Sequence, residues 1–138
     1  MTSALLLLAL AALGHHSHPT FYDACTTVTI DAQIDSVQWK NPHVLLDLTT
    51  TDGKAYRAEW TSAGALERNK IEPPKAGERV VITGNPMRDV AAIRARFPDL
   101  KLDTPAKPVV DVVSIRGASG SWNWKRNEPE TPPDCGRK

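Results

Sequence analysis

From Thr27 the chain alternates: Val28, Ile30, Ala32 and Ile34 fall on one side of an extended segment, and Thr29, Asp31, Gln33 and Asp35 on the other. This is the period-two pattern of a strand with one buried face. The parity then changes, because Val37 and Trp39 carry the apolar side onward. A strand that keeps its core face through such a shift contains an extra residue, so a bulge is expected at Asp35-Ser36. A long bulged first strand can bend from one sheet face to another.

The rest of the chain is read against that strand. After Lys40-Asn41-Pro42 a second strand runs from His43 to Thr49, and Thr51-Asp52-Gly53-Lys54 has the Asp-Gly tip of a hairpin. Tyr56, Ala58 and Trp60 share one face of a third strand. Ser62 is placed to cap a short helix from Ala63 to about Lys70, with Ala63 and Leu66 as its narrow apolar stripe, and Pro73-Pro74 ends it. Glu78 to Gly84 and Val109 to Ile115 read as fourth and fifth strands. Three strands, a helix and two more strands, with a bent first strand, is the order of a five-stranded OB-like antiparallel β-barrel. An open antiparallel sheet carrying one helix is the alternative; closure is favoured because it removes exposed edges. The fold class is therefore all-β with one short helix, the barrel spanning residues 27–117. Asn85 to Pro108 is a connection with four prolines, read as a functional loop or a poorly ordered one. The Trp- and Pro-rich tail, 118–138, offers little that could form a core.

Composition enters at the question of partners. The 138 residues carry 17 Lys+Arg against 16 Asp+Glu. A balance so close to neutral argues against nucleic acid or an anionic membrane, both of which recruit clustered basic surface. At the N-terminus, Ala4 to Leu13 is an apolar run too short to span a bilayer. It fits the apolar core of a secretory signal, with Ala12 and Gly14 as the small residues read at cleavage, although no Lys or Arg precedes it. The expectation is a signal peptide over 1–14, a periplasmic or secreted protein with no membrane anchor after cleavage, and a monomer.

Cleavage after Gly14 would make His15 the N-terminal residue of a His-rich segment, 15–26. Its amine and imidazole can hold one metal ion together. His16, His18 or the distant His43 could then complete the nitrogen set that Cu(II) prefers. The spacing lacks the i, i+4 histidine pair and the thiolates of a zinc site. Copper is thus the metal to test, against the alternative that the histidines form a plain solvated tail or bond within the fold. Cys25 and Cys135, the only cysteines, either pair in an oxidising compartment or leave Cys135 in an unstructured end.

Trp39 and Trp60 fall on inward faces and are expected in the core. Trp122 and Trp124 share one face of an extended segment that could pin the tail to the barrel or stack a ligand. Together with Trp39, Asn41 in the Asn-Pro turn and Glu59, Trp122 and Trp124 make up the candidate binding surface. Glu59 and Asp89 look like isolated acids, and no catalytic pair, nucleophile elbow or phosphate loop is visible.

Several of these residues resemble a family of small exported bacterial proteins known as domain of unknown function 6152. The resemblance rests on His15-His16-Ser17, Phe21 and Asp23, and Trp39-x-Asn41-Pro42-His43. It continues through Asp52-Gly53, Glu59, Gly64-x-Leu66, Gly77-x-x-Val80, Gly84 and Arg88-Asp89, so it spans about residues 15–117. It implies an exported single domain with no assigned activity. The chain departs from the pattern by inserted residues around Val90 to Pro108 and by its tail; His18 and both cysteines also look particular to it. Three readings follow: an exported binding module with copper at its N-terminal histidines; a metal-free module binding a small ligand or an exported protein through the barrel rim and residues 85–108; and a copper oxidase resembling those with an N-terminal histidine brace, for which no accompanying motif is visible.

Overall fold

A computed structural model describes residues 18–123 and Cys135. The expected signal over 1–14, His15, His16 and Trp124 lie outside the described residues. In chain order the elements are α1 (His18–Phe21), β1 (Val28–Gln38), β2 (Leu45–Thr50), β3 (Ala55–Glu59), α2 (Ala63–Arg68), β4 (Arg79–Pro86), α3 (Val90–Arg96), β5 (Val109–Gly117) and β6 (Gly120–Asn123).

The strands form one sheet in the order β3-β2-β1-β4-β5-β6, closed by an additional β3–β5 pairing. Five strands thus make the expected barrel. The closing pair is parallel, so the barrel is mixed rather than purely antiparallel. Closure depends on β1: residues 28–33 pair with β4 and residues 32–38 with β2. Between them the register slips at Asp35, where Ile34 faces Leu48 but Ser36 faces Asp47. That is the bulge the change in parity demanded, and it keeps the core side continuous from Ile34 to Val37. Inward residues of all five strands, among them Ile34, Leu46, Leu48, Ala58, Ile82 and Val110, are buried together. At the β2–β3 turn Gly53 takes the positive φ of 84° that Asp-Gly promised.

At the end where β1 and β3 finish, α2 closes the barrel. Ser62 caps it by accepting from the Ala65 N–H, and Ala63 and Leu66 are its buried residues. Trp60 is buried at 2% exposure, with Trp39 and Trp122 set edge-on against it at 6.2 and 5.3 Å between ring centres.

Three parts of the expectation need correction. The residues 85–108 are not a bare loop: they contain α3, capped by Asp89, which accepts from the Ala91 N–H, and anchored by buried Val90 and Ile93. The cue was an acid before an i, i+3 apolar pair, obscured by the surrounding prolines. The start of the tail is a sixth strand, in which Trp122 opposite Ile115 packs on the core. The helices number three among the described residues rather than one. The cysteines are joined, Cys25 to Cys135, with Cα atoms 5.4 Å apart.

Candidate functional site

The parallel β3–β5 contact puts Glu59 beside Asp111. Their neighbours Ala58 and Val110 point into the core, so by strand alternation the two carboxylates stand on the outer wall. Asn85 of β4 lies opposite Asp111 and Leu45 of β2 opposite Glu59, which gives one transverse row across four strands. Gly84 allows the approach: a Cβ there would collide with the Asp111 carbonyl and with Val110.

Residues 18–26 lie over this row as a strap. Tyr22 bridges to Met87, the Asp23 N–H donates to the Pro86 carbonyl at 2.9 Å, and the Arg88 N–H donates to the Phe21 carbonyl at 2.8 Å. Asn85, only 6% exposed, donates to the Thr26 carbonyl. Asp23 accepts from the Thr26 hydroxyl and the Cys25 N–H; those bonds hold its carboxyl below the ordinary value. The disulfide then ties the far end of the strap to Cys135.

One turn of helix determines what the strap presents. The Tyr22 N–H donates to the His18 carbonyl, and the two rings stack at 5.2 Å between centres, 19° from parallel. Adjacent strands lie about 4.8 Å apart, so two stacked side chains from one turn match two carboxylates on neighbouring strands. His18 Nδ1 reaches Asp111 at 2.8 Å, and the Tyr22 hydroxyl donates to Glu59 at 2.7 Å. Burial, then the charge and hydrogen bond of Glu59, push the Tyr22 phenol far above its ordinary range; it stays a proton donor.

Glu59 is therefore not isolated. Its other oxygen lies 3.4 Å from His43 Nδ1, which also sits 3.2 Å from the Trp60 carbonyl. Asp89, the other apparently isolated acid, is the cap of α3. The Trp39-x-Asn41-Pro42-His43 stretch as a whole fastens the β1–β2 turn to α2 and the end of β3. Trp39 Nε1 donates to Glu67 at 3.0 Å, and Asn41 accepts from the Gly64 N–H at 3.0 Å rather than from its own turn. Trp122 is committed to the apolar plug, away from the strap.

Both described histidines thus engage an acceptor through Nδ1. His18 is 17% exposed, and its Nε2 is buried with no hydrogen-bond partner among the described residues; His43 is half exposed. In a neutral His18 ring that donates to Asp111, Nε2 carries a lone pair. A carboxylate behind an imidazole orients the ring and raises the basicity of the other nitrogen, as at metal-binding histidines. Among the described residues, however, no three His, Cys, Asp or Glu side chains are grouped closely enough to hold a metal ion. Sequence reading missed Tyr22 and Asp111. Tyr22 had a cue in its i+4 spacing from His18, whereas Asp111 becomes a partner only through the parallel register.

Residues 4–94 match the model of the family of unknown function (DUF6152), and the chain belongs to that family. No curated protein matches it. A solved structure titled aspartyl tRNA synthetase from Entamoeba histolytica is similar at a TM-score of 0.46 and 19% identity, over 78% of this chain and 21% of that one. The chain thus spans about a fifth of that protein's length.

Proposed function

We propose that the protein is an exported, non-enzymatic β-barrel module that binds copper through the N-terminal histidines left by removal of residues 1–14. The observation that carries this reading is the buried, unpartnered Nε2 of His18, on a ring whose Nδ1 is held by Asp111. A donor-only ring nitrogen would need an acceptor; a lone pair in that position suits a borderline or soft cation. The rest of the ligand set would come from His15 and His16. Two residues of chain hold the His16 Cα within about 7 Å of the His18 Cα, and the new terminus adds an amine. His43, steadied by Glu59, is the remaining imidazole within the fold.

Copper titration of the protein beginning at His15, compared with one carrying an extra N-terminal Ala, tests the reading. The amine is expected to matter, so the blocking Ala should weaken binding. Equal affinities, or binding no better than micromolar in both, would refute it. Asp111→Asn should lower copper affinity about 10–100-fold if Asp111 supports a ligating His18. Mass spectrometry of the exported protein checks cleavage after Gly14 directly.

A further inference from the structure

At the end of the barrel where β1, β3 and β5 begin, the start of α3 contributes Val90 to the surface but does not fill it. This end opens into a cleft of about 670 Å³, within the range of pockets that accept small organic ligands. Ile30 and Val110 form its buried floor, with Val28 and Tyr56 beside them. Pro86, Pro105 and Pro108 stiffen the walls. Walls with fixed φ lose little conformational freedom when a ligand enters.

Among the described residues, Arg88 and Lys107 are the charged side chains that line the cleft. Arg88 lies close enough to Asp23 of the strap to act on its carboxyl, so the charge offered to a ligand rests on the Lys107 side. Lys107 lies 3.2 Å from Asp47, but Arg57 already pairs with that carboxylate through two hydrogen bonds of 2.9 and 3.1 Å. One carboxylate shared by two cations leaves that side of the cleft net positive. An apolar floor with a cationic rim is complementary to an apolar body carrying one anionic group. We infer that this cleft is a second binding site, separate from the N-terminal histidines, for a small amphipathic carboxylate.

Octanoate, octanol and octylamine serve as probes, added with EDTA present to the disulfide-bonded protein and followed by amide chemical shifts. Octanoate should give saturable shifts confined to residues 28–30, 86–90 and 105–110, and octylamine should bind at least about tenfold more weakly. Lys107→Gln should weaken octanoate and leave octanol unchanged. Ala106, exposed in the cleft wall, can be enlarged without touching the core, so Ala106→Trp should abolish octanoate binding while amides away from the cleft keep their shifts. Absence of saturable shifts at millimolar octanoate, equal binding of octylamine, or wild-type binding by Ala106→Trp would each overturn the inference. Because copper is chelated throughout, none of these outcomes bears on the histidines.

Discussion

Two of the three described helices, α2 and α1, dock on this barrel by opposite means. The α2 helix meets it with Ala63 and Leu66, among Trp39, Trp60 and Trp122. The α1 turn meets it with His18 and Tyr22, each bonded to a carboxylate. Both regions leave one ring nitrogen buried without a partner among the described residues, Trp60 Nε1 under α2 and His18 Nε2 under the strap. The indole N–H can only donate, so in Trp60 the orphan is a cost accepted for close packing. An imidazole nitrogen can also accept a proton or a metal, so in His18 it is an unused capacity. Apolar docking supplies stability without orienting any atom; polar docking aims particular atoms and contributes less stability.

If that division is right, perturbations of the two regions should separate in size. The strap relies on a covalent tie, so replacing Cys25 and Cys135 together by Ser should cost most: up to about 4–5 kcal/mol for a loop of this length on the chain-entropy account. The sequence separation is 110, and denaturant melts of the two proteins measure the loss. Leu66→Ala, which empties a fully buried site under α2, should cost about 3 kcal/mol in the same melts. Tyr22→Phe removes a bond to a charged acceptor and should cost about 1.5 kcal/mol; a loss as large as that of Leu66→Ala would erase the distinction between the two helices.

The smallest effect is a control on the barrel wall outside both helices. Hydrogen bonds from Arg57, with Lys107 and Ser36 adding to them, draw the Asp47 carboxyl from 3.8 down to about 2. A carboxyl depressed on folding stabilises above its unfolded value and loses that contribution as pH falls through the folded one. The window is therefore about pH 4 to 2, and after solvent screening the contribution at neutral pH is on the order of 1 kcal/mol. Asp47→Asn should flatten acid unfolding across that window, as followed by unfolding titrations from about pH 4 to 2.

What the sequence disclosed follows the range of the interactions involved. The bulge at Asp35, the Asp-Gly turn and the Ser62 cap depend on residues a few positions apart, and all were readable. The sixth strand and α3 were hidden because proline content outweighed short local cues around Asp89 and Trp122. The Glu59–Asp111 pair depends on a parallel register between strands separated by about fifty residues of chain, and no local pattern carries that. His43 was visible as a residue of interest, but its hold on Glu59 and the Trp60 carbonyl required the β3 end to be in place.

The β4–β5 pairing has a practical consequence. Chain leaves the barrel at Pro86 and returns at Val110, and those two residues are register partners; the Met87 N–H donates to the Val109 carbonyl at 2.9 Å. The whole excursion between them starts and finishes at one point on the wall. Its two ends are committed, Met87 and Arg88 to the strap and Lys107 and Pro108 to Asp47 and Arg57, so the stretch between them is a natural cassette, where a designer could graft a loop of another length without moving the strand ends.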